Sequence, residues 1–366
     1  MTDGARVRAL VATGAEQEPA VVEVQLPAPG PDQVRVRVRA AGVCHSDLSM
    51  FNGTLAPTFP LVLGHEAAGE VVEVGAAVTR VRPGDHVVLN WSPPCRECWM
   101  CTHGQTWLCE RAGAASTPRG TTADGEQLYV CLGVGSLAEQ LVIGEKAVIP
   151  VPADLPLDQA ALLGCAVLTG FGSVRNTARV GAGDTVAVIG LGGIGLSVVA
   201  AAKAAGASKI IAADLSPAKG ELALAIGATD FVVSDDVLHK NVRSLIDEGR
   251  GVDHAFECVG RSVTIGAAWR ATRRGGQVTV VGMGGRKDMV ELSALDIYHS
   301  ARTLRSSVYG SSDPDREVPE LAAAVLDGSL DLKPLISHRI SLAETPAAFD
   351  RMERGEGARS VVIFED

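Results

Sequence analysis

The chain has 366 residues with 33 Lys+Arg against 43 Asp+Glu, a formal charge of −10, and is 46% hydrophobic and 21% charged. That composition excludes wholesale disorder, and the acidic balance speaks against a general nucleic-acid or anionic-membrane binder. The length exceeds what one core usually serves, so two domains are expected. The 41 glycines follow no G-X-Y period and point to tight turns and close backbone approaches.

In chain order, residues 1–12 carry Asp3, Arg6 and Arg8 and lack the apolar core of a secretory signal. Residues 34–39 alternate Val and Arg strictly, as a half-buried strand does. Residues 70–74 and 86–89 read as further strands around the Pro83-Gly84 turn. Up to about residue 165 the pattern is strands and loops, a small barrel-like β unit.

From Asp184 the chain alternates short apolar runs with helical stretches. Strands are predicted at 185–189, 209–213, 231–233, 252–257, 277–281 and 304–309, with helices at 194–205, 217–226, 237–247 and 262–271. Repeated βα units imply a parallel sheet covered by helices. Residues 185–202 contain no charge, but their four glycines fit a buried strand–turn–helix better than a membrane span. A helix at 319–326 and a strand at 360–364 complete the chain.

Gly190-Leu191-Gly192-Gly193-Ile194-Gly195 fits G-x-G-x-x-G between a predicted strand and a predicted helix, the setting in which the motif is specific. Gly190 permits the tight turn, Gly192 lets the backbone approach a pyrophosphate, and Gly195 lets helix pack on strand. Asp214, 19 residues beyond Gly195, stands where a carboxylate accepts ribose hydroxyls and repels a 2′-phosphate, favouring NAD over NADP. The bland alternative for Asp214 is a turn or helix cap. Lys219 reads equally as a ribose or phosphate contact and as a solvated helix lysine.

The chain has eight cysteines and no targeting signal, so a reducing cytoplasmic setting and metal or catalytic roles are expected. Cys95, Cys98, Cys101 and Cys109 form C-x2-C-x2-C-x7-C, enough thiolates to surround one zinc ion tetrahedrally. Iron–sulfur ligation competes, although the short final gap and following Pro usual there are missing. Cys44, His65 and Cys165 are each unremarkable alone, yet two thiolates and one imidazole would supply the three ligands of an open, catalytic zinc. Cys131 and Cys258 then remain as core thiols.

GVCHSD at 42–47, GHEAAGEVVEVG at 64–75, RPGDHV at 82–87, the four-cysteine lobe, LGC at 163–165 and GLGGIGLSV at 190–198 occur together in this order. In these motifs the chain resembles the zinc-dependent medium-chain alcohol dehydrogenase family over nearly its whole length. The resemblance implies an α/β protein: a GroES-like β-rich catalytic domain over 1–166 and 310–366, and a Rossmann doubly wound parallel sheet over 167–309. It implies catalytic zinc on Cys44, His65 and Cys165, structural zinc on Cys95, Cys98, Cys101 and Cys109, and NAD as cofactor. The implied reaction is oxidation of an alcohol to an aldehyde or ketone, with zinc lowering the hydroxyl pKa and hydride passing to NAD. The family pattern gives Ser46 a proton-transfer role, Asp47 the orienting of His65 and Glu66 a tuning of the zinc electrostatics. It sets His45 and Arg359 on the pyrophosphate, Gly193 among the cofactor-binding glycines of the turn, Thr169 and Ile194 against the nicotinamide, and Trp91 in the substrate pocket. A large indole at 91 suits a flat aromatic or extended primary alcohol.

Two departures from the family pattern matter. Ser49 stands where many members carry the histidine that ends the proton relay, leaving water or His45 to release the proton. Gly113 stands where the glutathione-dependent formaldehyde dehydrogenase branch carries an arginine, with Arg111 two residues away, which weakens a thiol-adduct substrate. The competing readings are a nicotinoprotein with permanently bound NAD(H), a thiol-adduct-dependent formaldehyde dehydrogenase, and a non-enzymatic NAD- and zinc-binding sensor. A nucleic-acid zinc ribbon conflicts with the net acidity and the lack of a basic stripe near the lobe. The expected partners are a small alcohol or aldehyde and further copies of the chain, as homodimer or homotetramer, the strand at 304–309 offering a sheet edge. Neither nucleic acid nor membrane is expected as a partner.

Overall fold

In the computed structural model, residues 4–112 and 118–365 are described. Gly113 lies outside them, as do Met1 and Asp3. The chain divides into two compact units: 1–165 with 313–354 and 359–366, and 166–312 with 355–358.

The first unit is built on two β-sheets. In the smaller, Ala5–Ala12 lies between Ala20–Leu26 and Leu61–Val62, flanked by Thr121–Thr122 and Tyr129–Val130. In the larger, Gln33–Gly42 pairs with Glu66–Val74, Gln140–Gly144 and the C-terminal strand Arg359–Ile363. Within 34–39 the valines are fully buried; of the intervening arginines Arg37 is exposed and Arg39 half-buried, whereas Arg35 is buried, and Arg35 and Arg39 pair with Glu73 and Glu70 on the neighbouring strand. The inward valines meet Leu10, Leu63, Leu89 and Leu137 in one core. The strand at 66–74 starts earlier than its apolar alternation announces, because Glu66 enters the sheet buried. The helices His45–Phe51 and Leu157–Leu163 were not expected from the sequence.

The second unit is a six-stranded parallel sheet of Thr185–Ile189, Lys209–Asp214, Asp230–Val233, Val252–Glu257, Thr272–Val280 and Thr303–Ser306. Numbered by chain order they lie 3-2-1-4-5-6, the doubly wound Rossmann arrangement with its topological switch beside the first strand. Ile189, Ile211, Val252, Ala255 and Val278 form the core against Ala267, Ala268 and Trp269 of helix Ser262–Ala271. The uncharged stretch at 185–202 is the first strand, the glycine turn and the start of helix Gly193–Ala204. Among the described residues no single helix is long and apolar enough to cross a membrane.

Two boundaries differ from expectation for local reasons. The strand predicted at 304–309 stops at Ser306, because Tyr309 and Gly310 take left-handed conformations (φ 50° and 70°) that no extended strand continues through. The helix predicted from 319 begins at Pro314, whose missing N–H is harmless in a first turn.

Candidate metal centres and dinucleotide site

The four lobe cysteines come from a loop with one short helix, Trp99–Thr102, and a 3-10 turn, Thr106–Leu108. Their sulfur atoms all lie within 4.8 Å of one another. Cys95 and Cys101 Sγ are 4.0 Å apart and Cys98 and Cys109 Sγ 3.9 Å apart. A tetrahedron with Zn–S near 2.3 Å has edges of about 3.8 Å, so the cage fits one ion and leaves no space for a multi-iron cluster. Backbone N–H groups of Cys95, Glu97 and Cys98 donate to lobe sulfurs at 3.2–3.4 Å, which favours thiolates. Between the first two cysteines, Arg96 takes φ 67° and its guanidinium forms a fork on Asp313 at 2.6 and 2.7 Å and reaches Asp315 at 2.6 Å. These ion pairs tie the lobe to the first turn of helix Pro314–Leu326.

The second cluster is assembled from three distant segments. Cys44 ends the turn after Gln33–Gly42 and caps helix His45–Phe51; His65 directly precedes strand Glu66–Val74; Cys165 follows helix Leu157–Leu163. All three side chains are buried and their ligand atoms lie within 4.8 Å. His65 Nε2 faces Cys165 Sγ at 3.4 Å. The hydrogen bond with Cys165 holds the Cys44 thiol well below its usual range against the effect of burial, while the same bond and burial push Cys165 up. Two soft thiolates and an imidazole suit zinc, and the cluster contributes three donors, one fewer than a closed tetrahedral site.

Asp47 organises this cluster. Its Oδ1 accepts from His65 Nδ1 at 2.8 Å and Gly64 N at 3.1 Å, and its Oδ2 accepts from Cys44 N at 3.0 Å. With Nδ1 protonated toward the carboxylate, Nε2 presents its lone pair to the sulfurs. Beside it, Glu66 is fully buried and pairs with Arg359 Nη2 at 3.2 Å, while Arg359 Nη1 donates to the Val43 carbonyl at 3.1 Å. Burial pushes Glu66 up to about 7 despite the opposing Arg359 charge. Of the other first-unit residues singled out from sequence, Ser46 and Trp91 are half-buried, Trp91 packing on the apolar core, and His45 is exposed. The sequence offered no sign of the Glu66–Arg359 pair, whose members stand 293 positions apart.

In the second unit the glycine turn joins the first strand to helix Gly193–Ala204. Gly190 has φ 91°, where a side chain is strained. A Cβ on Gly195 would collide with the Gly190 carbonyl, whereas one on Gly192 would meet only open space. The fold itself therefore leaves room for a side chain at 192. Asp214 Oδ2 accepts from Leu191 N at 2.7 Å and its Oδ1 from Ser216 N at 2.9 Å. Lys219 is buried and donates to the Leu191 carbonyl at 3.1 Å. Both thus clamp the middle of the turn, a role the sequence did not disclose. Thr169 is buried and Ile194 half-buried.

A family model described as "Alcohol dehydrogenase GroES-like domain" matches residues 30–153, and one described as "Zinc-binding dehydrogenase" matches residues 193–327. The chain is 38% identical to an S-(hydroxymethyl)glutathione dehydrogenase of Escherichia coli O1:K1 / APEC over 98% of its length and 99% of the relative's. A crystal structure of an alcohol dehydrogenase zinc-binding domain protein from Burkholderia ambifaria superposes with a TM-score of 0.92 at 31% identity, covering 100% of both chains. Benzyl alcohol dehydrogenase from Acinetobacter calcoaceticus superposes at 0.90 with 26% identity, over 99% of this chain and 100% of that one. The chain belongs to the zinc-dependent medium-chain alcohol dehydrogenase family and is an NAD-dependent zinc oxidoreductase of GroES-like and Rossmann construction.

Proposed function

We propose that the protein oxidises a primary alcohol, aromatic or extended, to its aldehyde, reversibly, with Cys44, His65 and Cys165 holding the catalytic zinc and the four-cysteine lobe a structural one. The observation that carries this reading is the buried three-donor cluster, which leaves one coordination position for a substrate oxygen. Zinc bound there supplies a Lewis acid that lowers the pKa of an alcohol hydroxyl, and NAD supplies the hydride acceptor.

The chain's own residues do the rest. Asp47 Oδ1 holds the His65 Nδ1 proton, keeping Nε2 free for the metal. Ser46 Oγ takes the hydroxyl proton; with Ser49 in place of a histidine, that proton leaves through water or the exposed His45. Glu66 adds negative charge close to the ligands, moderated by Arg359. Arg359 and His45 bind the pyrophosphate, Gly190, Gly192, Gly193 and Gly195 form its turn, and Asp214 and Lys219 hold the adenosine ribose. Thr169 and Ile194 position the nicotinamide, and Trp91 shapes the substrate pocket. The experiment is NADH formation by zinc-replete protein across primary, secondary and aromatic alcohols at neutral and alkaline pH. No NADH from any of them rejects the reading. Nicotinamide released on denaturing the purified protein would instead identify a nicotinoprotein.

A second reading has one specific support: relatives 38% identical over the full length are S-(hydroxymethyl)glutathione dehydrogenases. Against it, Arg111 is exposed and paired with Glu97 at 2.9 Å. NADH formation from formaldehyde only when glutathione is added would favour it. We also propose a cytoplasmic homodimer or homotetramer. Strand Thr303–Ser306 pairs on one side only among the described residues and is exposed throughout. Light scattering of the purified protein tests the assembly.

A further inference from the structure

Asp47 is met by one side-chain donor that belongs to neither proposed metal cluster. Cys131 opens the 3-10 turn Cys131–Gly133 and is 1% exposed in the core of the first unit. Its Sγ lies 3.5 Å from Asp47 Oδ1, the oxygen that also accepts from His65 Nδ1 and Gly64 N. Core packing alone would accept any apolar side chain of similar volume at 131. A thiol adds a proton, and an ionised carboxylate, which offers only acceptor sites, is the partner for it.

The spacing also shows what Cys131 does not do. Asp47, His65 and Cys131 form a compact trio, with ligand atoms within 4.8 Å of one another. Yet His65 Nδ1 and Asp47 Oδ1 are 2.8 Å apart. Two ligands at about 2.0–2.2 Å from one tetrahedral ion would stand about 3.3 Å apart or more. A proton, not a second metal, lies between them.

We infer that Cys131 is a positioning residue for the catalytic metal, its thiol donating to Asp47 Oδ1 and so fixing the carboxylate that orients His65. Three donors from two segments of chain then converge on one oxygen, Gly64 N and the ring of the adjacent His65 from one and Cys131 from the other. With Cys44 N on Oδ2, the carboxylate is pinned at both ends and cannot swing away when the metal leaves. The inference rests on the assignment of Cys44, His65 and Cys165 to the catalytic zinc.

The test compares Cys131→Ser, which keeps a donor, with Cys131→Ala and Cys131→Val, which do not, in the full-length protein. Zinc content is read after equilibration against graded chelator, thermal midpoints are recorded alongside, and the cobalt-substituted proteins are compared by their thiolate-to-cobalt absorption. Cys131→Ala and Cys131→Val are expected to lose the catalytic zinc about tenfold more readily and to shift the cobalt spectrum, while Cys131→Ser stays within about twofold of wild type. Loss in Cys131→Ser equal to that in Cys131→Ala, or wild-type retention in all three, would overturn the inference. Cys44→Ala serves as control: if its zinc content does not fall by one ion per chain, the assignment of the metal site fails, whatever the Cys131 variants show.

Discussion

Asp47 Oδ1 accepts the Nδ1 proton of His65 at 2.8 Å, with the two side chains 0% and 1% exposed. The pair sets the imidazole's tautomer and angle before any metal arrives, and the Asp47 Oδ2 bond to Cys44 N extends that control to a second ligand. Asp47→Asn preserves the shape but offers one acceptor oxygen where the site uses two. It is expected to lower kcat/KM by about 10–100-fold and to weaken retention of one zinc by a similar factor. Steady-state kinetics with metal analysis checks this.

The lobe makes a separable prediction. Cys101→Ser removes one corner of the closed cage, so zinc content should fall by one ion per chain and the thermal midpoint by about 5–10 °C. Differential scanning calorimetry with metal analysis measures both. A variant that keeps its full zinc content would show that the lobe does not close on Cys101.

Asp214 bridges fold and specificity. Because Asp214 Oδ2 already holds Leu191 N, its removal would loosen the turn as well as the ribose contact proposed for it. Asp214→Asn keeps one oxygen for that N–H while deleting the charge that repels a 2′-phosphate. The ratio of kcat/KM for NAD to that for NADP should fall by about tenfold or more. Initial-rate measurements with the two cofactors decide it.

Acid stability should depend on Asp253. Burial pushes its carboxyl up, but hydrogen bonds from Thr185 N and Oγ1 and from Arg273 outweigh this and hold it at about 2. A carboxylate near 3.9 when unfolded and lower when folded contributes stability above the unfolded value, and that contribution fades as pH falls toward the folded one. The gap in thermal midpoint between wild type and Asp253→Asn should therefore be constant above about pH 5 and close between about pH 4 and 2. A gap unchanged down to pH 2 would contradict it.

The elements readable from sequence are those whose burial is one-sided or whose turns have strict requirements. The Val–Arg alternation at 34–39 and the helix at 262–271 belong to this group, as does the glycine turn, where φ at Gly190 leaves little choice of residue. Helix Ala166–Gly172 did not show itself because every one of its residues is buried, so it carries no polar face and no period. The four-cysteine cage was legible from local spacing. Cys44, His65 and Cys165, each unremarkable alone, formed a set only on the donor count of an open zinc site, which the family resemblance then also implied. The links that complete the site are long-range: Cys131 to Asp47 spans 84 positions and Arg359 to Glu66 spans 293. Lys219 was ambiguous because its actual partner is a backbone carbonyl, which no side-chain pattern announces.

The most direct test of the whole account is NADH formation from NAD and a primary alcohol by wild type and Cys44→Ala, with zinc measured on the same samples. The account predicts two zinc ions and steady NADH production for wild type, and one zinc ion with only background NADH for Cys44→Ala. Full activity in Cys44→Ala would contradict it.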